Sequence, residues 1–204
     1  SNTTGGYNTA NGFQSLYSNT TGSWNTANGD YALRSNTTGG YNTATGYQAL
    51  YSNVAGSYAT AIGNRAMYYA NNSATAFTNY NVAVGYEALR GSSTPANNTG
   101  NGNTAIGYQT LWSNTSGYSN TANGMRALHN NTTGYRNTAI GDSALYSNTT
   151  GYYNTANGYQ SLYSNTTGIN NTANGNGALY SNVAGNNATA IGNRAMYYAN
   201  NSAT

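Results

Sequence analysis

SNTTGGYNTANGFQSLY at Ser1–Tyr17 is followed by SNTTGSWNTANGDYALR at Ser18–Arg34 and by SNTTGGYNTATGYQALY at Ser35–Tyr51. A tandem period of 17 residues is the signature of a stacked-coil architecture, in which each copy lies on the one before it. A fourth copy runs from Ser52. Two copies of 22 residues start at Tyr69 and Gly91, and the shorter spacing resumes at Ser113, Asn130, Ser147, Ser164 and Ser181. Residues 1–204 therefore read as a single repeat domain of eleven coils plus a partial twelfth. A longer period sits above the first. Residues 52–75 and 181–204 differ at two places, Ser57/Asn186 and Tyr58/Asn187, at an offset of 129 residues. That super-repeat predicts that the sequence is a window of a longer array.

The consensus of one copy is S-N-T-T-G-x-Y-N-T-A-x-G-x-x-A-L-Y. Its N-T-A-x-G stretch contains β-branched residues and no Pro, as a short strand requires. Side chains alternate across a strand, so Ala10 and its equivalents face one way, and Thr9 and the variable residue face the other. Ala recurs at this place in every copy: Ala10, Ala27, Ala44, Ala61, Ala83, Ala105, Ala122, Ala139, Ala156, Ala173 and Ala190. A place that never accepts a larger residue reads as a tight interior. The Gly after it is equally constant and marks a turn. One large apolar residue per copy, from Leu16 to Met196, reads as the interior filler. The S-N-T-T-G segment supplies a second bend through Asn and Ser side chains. The expected fold is all-β, a parallel β-roll or β-solenoid with two short strands and two turns per coil. Apolar residues do not recur at 3.6, which excludes a helical repeat.

Composition excludes several functions. Charged residues make up 4% of the chain, against roughly a quarter in ordinary domains. There is no Cys and one His, so neither a disulfide framework nor a zinc or iron–sulfur site has ligands. The acids Asp30, Glu87 and Asp142 lie in different copies, and no Ser or Thr has a base beside it. The chain reads as a non-enzyme with no cofactor and no metal. Asn-rich turns without acids make poor calcium ligands. Arg65, Arg126 and Arg194 share one repeat place, and Arg34 and Arg90 share another. At about 14 Å apart along a stack, they read as isolated solvated charges rather than a nucleic-acid stripe. No apolar run is long enough to span a membrane.

NTAIGYQTL at 103–111, NTAIGDSAL at 137–145, and ATAIGNRAM at both 59–67 and 188–196 resemble the YadA-like head repeats of trimeric autotransporter adhesins. Similar arrays occur in large trimeric tail-fibre-like proteins that carry a C-terminal chaperone domain. The resemblance covers essentially the whole chain. It implies a left-handed parallel β-roll, three chains wound about one axis, and a place at a cell or virion surface. The residues themselves also favour self-association, as a homotrimer or an end-to-end filament. One Leu, one Ala and part of a Tyr per coil make a thin interior against the entropy of ordering seventeen residues. The variable strand place accepts Asn, Ile, Val or Thr, so it is either exposed or lines a contact between chains.

Two files of side chains are candidate recognition features. Tyr17, Tyr51, Tyr68, Tyr146, Tyr163 and Tyr180 occupy one repeat place and form a candidate surface-binding column for surface glycans or host matrix. Tyr7, Trp24, Tyr41 and Tyr58 occupy a second place. Asn2, Asn19, Asn36, Asn114, Asn131, Asn148 and Asn165 each open an N-x-[ST] sequon at one bend, a row of candidate glycan acceptors. The function expected is a non-catalytic structural fibre or surface rod of adhesin-head type in an extracellular location. The alternatives are a glycan- or matrix-binding adhesin module working through the Tyr and Asn columns, and an ice-binding solenoid with one Thr row per coil.

Overall fold

Every copy places its T-A-x triplet in extended conformation, and these triplets stack into one parallel sheet. The computed structural model describes residues 2–199. The strands, in chain order, are β1 (Thr9–Asn11), β2 (Thr26–Asn28), β3 (Thr43–Thr45), β4 (Gly56–Ser57), β5 (Thr60–Ile62), β6 (Phe77–Thr78), β7 (Val82–Val84), β8 (Thr104–Ile106), β9 (Thr121–Asn123), β10 (Thr138–Ile140), β11 (Thr155–Asn157), β12 (Thr172–Asn174) and β13 (Thr189–Ile191). Eleven of them form a sheet in sequence order, while β4 and β6 pair separately. Register is strict: Thr9 faces Thr26, Ala10 faces Ala27 and Asn11 faces Asn28, and so on along the stack. Each interior strand of the main sheet bonds in both directions. Thr43 N–H donates to Ala59 O at 2.9 Å, and Gly46 N–H donates to Asn28 O at 2.7 Å. The all-β parallel solenoid expected from the period is what forms.

The coil differs from expectation in one respect. It has one regular strand in the main sheet, not two. The A-L segment is a chain of turns, because two of its residues take a positive φ (Gln48 57°, Leu50 51°). A third such residue precedes the strand, as at Tyr41 (φ 58°). The segment still ladders to its neighbours, with Leu33 N–H donating to Ala49 O at 3.0 Å. Left-handed backbone at non-Gly residues costs about 1–2 kcal/mol each, so it persists only because bonds to the coils on both sides fix it.

The two long coils do not disturb the sheet. β5 still pairs β7, with Thr60 opposite Val82, and β7 pairs β8, with Val82 opposite Thr104. The extra residues enter ahead of the strand and bulge outward, the second set through a short 3-10 turn at Pro95–Asn97. Beside the bulges lies a small cavity of about 20 Å³, lined by Met67, Leu89, Asn79, Asn81, Asn98 and Asn114, room for a single water.

The interior holds the Ala file, the Leu file and a second Ala file (Ala32, Ala49, Ala66 and onward), with Leu33, Leu50, Leu111 and Leu145 fully buried. It also holds amides. Asn36, Asn131, Asn148 and Asn165 are completely buried, as are Asn42, Asn103, Asn120 and Asn171. Among the described residues, no helix is long and apolar enough to cross a membrane.

Candidate functional site

The N-T-T-G bend aims its first Asn inward. Asn36 Nδ2 donates to Gly39 O at 2.9 Å within its own coil and to Asn19 Oδ1 at 2.8 Å in the coil before it. Asn131, Asn148 and Asn165 repeat the pattern. The row expected to accept glycans is therefore an interior amide ladder from Asn19 onward. Asn19, Asn36, Asn114, Asn131, Asn148 and Asn165 are all buried, and their amide nitrogens donate to backbone carbonyls. Asn2, on the first coil, is exposed and donates to Gly5 O at 2.7 Å. Buried polar groups must be paired, and this geometry pairs them without any outside partner. The file breaks after Asn53, whose buried Oδ1 has no hydrogen-bond partner where the first long coil follows, and it resumes at Asn114.

A second ladder runs through the Asn that precedes most strands of the main sheet, with Ala59 and Ala188 in that place before β5 and β13. Asn42 Nδ2 donates to Gly56 O at 2.8 Å, and its Oδ1 accepts from Ala59 N–H at 2.9 Å. Sequence reasoning did not find either ladder as an interior feature. The signal was present: these Asn residues recur almost as strictly as the Ala that was placed inside. In the first ladder the Thr after the bend Asn adds a further tie, as in Thr132, whose Oγ1 donates to Thr149 O at 3.1 Å.

The first Tyr file becomes a stack of planar groups. Tyr146 and Tyr163 lie 5.2 Å apart at 5°, Tyr163 and Tyr180 5.0 Å apart at 2°, and Tyr180 and Tyr197 4.7 Å apart at 7°. Upstream, His129 stacks between Trp112 (5.3 Å) and Tyr146 (5.1 Å). Tyr51 stacks on Tyr68 at 5.2 Å. Arg34 lies between Tyr17 and Tyr51, 5.7 Å from each ring centre. Arg90 lies between Tyr69 and Trp112, at 4.7 and 4.9 Å, and pairs with Glu87 at 3.4 Å. Glu87 is buried and accepts from Gln109 and from the Trp112 indole. The arginines expected as isolated solvated charges are instead cations over rings: Arg65, Arg126 and Arg194 each cover a Tyr as well, and so does Arg136, which the expectation did not include. Burial pushes the Tyr68 and Tyr180 phenols up and the His129 imidazole down, the latter against a hydrogen bond to Asn130 and helped by nearby Arg126.

This stacking decides what the Tyr column can offer. From His129 to Tyr180 each ring has a neighbouring ring on both faces, whereas Tyr17, 57% exposed, has Arg34 beside its ring. A sugar that binds by laying its C–H face on a ring needs the faces. The second file behaves alike. Tyr7, Trp24, Tyr41, Tyr58 and Tyr80 stack at 4.1 to 6.2 Å.

The outward strand face is the third surface. Its triplets run exposed–buried–exposed. One file is Thr in every strand of the main sheet except Val82. The other is Asn, Thr, Ile or Val. Where Asn follows Asn, the amides bond along the chain, as Asn11 Nδ2 to Asn28 Oδ1 at 3.1 Å. Ile62, Val84 and Ile106 stand on adjacent strands, and both Ile side chains are 40% exposed. Among the described residues no three His, Cys, Asp or Glu converge on a point that could hold a metal ion. No family model, curated protein or solved structure matches the chain.

Proposed function

We propose that this chain is a non-catalytic structural rod at a cell or virion surface, and that it self-associates laterally through its outward strand face. The observation that carries the reading is the run Ile62, Val84 and Ile106, with Val82 beside it, on the outward face of three adjacent strands, the two Ile exposed and the two Val half-buried. Contiguous exposed apolar surface rimmed by Thr and Asn marks a contact surface. Eleven coils at about 4.8 Å make a rod of roughly 50 Å. The near-absence of charge, Lys and Cys suits an extracellular element with few electrostatic handles. The resemblance to adhesin-head repeats supports three chains about one axis as the assembly. Coverage of the ring faces in the Tyr files weighs against the glycan-binding alternative.

Light scattering tests it. The expected mass is a multiple of the 21.3 kDa chain, three-fold for the trimer, and the triple change Ile62→Thr, Val84→Thr, Ile106→Thr lowers it without loss of β-sheet signal. A strict monomer at every concentration would overturn the reading.

A further inference from the structure

Tyrosine accounts for 22 of 204 residues, and cysteine for none. The coils are joined by backbone ladders, amides and packing, with no covalent tie other than the chain itself. Yet their in-register stacking brings phenol rings together at a fixed repeat. Tyr118 and Tyr135 stack at 4.8 Å and 4°, and Tyr135 and Tyr152 stack at 4.6 Å and 6°. Tyr118 is 38% exposed, so an oxidant reaches the file from solvent.

We propose that these stacked tyrosines are oxidative coupling sites, at which a one-electron oxidant of the peroxide-driven haem peroxidase class joins consecutive coils of one chain through dityrosine bonds. The chemistry balances. Each of two phenols gives one electron to the oxidant and its O–H proton to water, leaving two neutral phenoxyl radicals. Spin density on the ring carbons ortho to oxygen pairs into a Cε–Cε bond. Each ring then returns its ortho hydrogen, as a proton, to its own oxygen and regains aromaticity. The two electrons and two protons convert hydrogen peroxide to two molecules of water.

The fold favours this reaction in three ways. Residues 17 apart occupy the same place on successive coils, about 4.8 Å apart along the backbone, so where Tyr recurs, as at Tyr118, Tyr135 and Tyr152, the partner ring is present and already parallel. Tyr has two side-chain torsions, and a modest change in either tilts one ring edge onto the next. The neighbour is in the same chain, so an intramolecular link outcompetes links between chains at low concentration. Where a file is interrupted, as by Arg34 between Tyr17 and Tyr51, coupling between adjacent coils is blocked.

The test uses the full chain treated with a haem peroxidase and limiting hydrogen peroxide, folded and in urea. Cleavage after arginine isolates residues 127–136, whose one tyrosine is Tyr135. The expected result is dityrosine fluorescence, an intact mass reduced by a pair of hydrogens per bond, and peptide 127–136 linked to peptides 91–126 and 137–194. Tyr135→Phe keeps the stacked ring and abolishes both links; because the Tyr153 ring also lies 5.7 Å from Tyr135, edge-on, it is the pair Tyr152→Phe, Tyr153→Phe that abolishes only the second. Both variants should retain the circular dichroism of the parent. Absence of these linked peptides, links of equal yield in urea, or links between chains only would overturn the proposal.

Discussion

Asn131 and Asn148, seventeen residues apart, are joined amide to amide: Nδ2 of Asn148 donates to Oδ1 of Asn131 at 2.8 Å, inside a fully buried file. The same nitrogen donates to Gly151 O at 3.0 Å, and Oδ1 of Asn148 accepts from Asn165. Three neighbours thus depend on one side chain that is both donor and acceptor. Replacing the nitrogen by oxygen in Asn148→Asp places an unpaired carboxylate opposite two acceptors. We expect a loss of about 3–5 kcal/mol, read as a lower thermal midpoint at neutral pH. The loss should shrink in acid, where the protonated carboxyl regains a donor. An Asp variant as stable as the parent at neutral pH would contradict a buried ladder.

Gly46 predicts a second sensitive place. Its φ is 127°, and a Cβ there would stand 2.6 Å from Gly63 O. Gly46→Ala meets both an unfavourable backbone region and the carbonyl of the next coil. A cost of about 2–3 kcal/mol is expected, measured by urea titration.

The opposite sign is expected at Ser119, which is exposed and has a φ of 53°. Gly102 already fills the equivalent place one coil earlier, at φ 64°. Ser119→Gly removes left-handed strain and adds some unfolded-state entropy, for a net gain of about 0.5–1 kcal/mol. A lowered melting temperature would count against strain at this place.

Acid should weaken the stack around His129. Burial between Trp112 and Tyr146 lowers its folded pKa below the ordinary value of 6.5. The unfolded chain therefore takes up a proton first as pH falls. The stability contributed by the neutral ring is fully present above about 6.5 and is lost as pH drops from there through the folded value. His129→Tyr, which installs the residue found at this place in the next coils, should flatten the dependence between pH 7 and 5. Thermal melts across that range are the measurement.

Much of the fold was legible because repetition labels each residue's environment. Ala27, Ala44 and Ala61 recur unchanged and prove fully buried; Leu33 and Leu50 do the same. The Asn residues recur almost as faithfully but were read as turn formers. Polarity argued against burial, and only the coil-to-coil amide partners, which exist after stacking, reverse that argument. The single strand per coil was hidden for a similar reason. Nothing in the type of Gln48 or Leu50 announces a positive φ; the neighbouring coils impose it. Tyr146 and Tyr163 were correctly placed in one file, but whether a ring shows its face or its edge depends on a spacing that composition does not contain.

The bulges of the two long coils leave every file aligned above and below them, since each rung answers only to the rung on either side. A gene of this kind tolerates unequal recombination in whole units. Loss or gain of a complete copy shortens or lengthens the rod in whole rungs, while a slip of one codon within the strand triplet would put alanine outside and threonine inside.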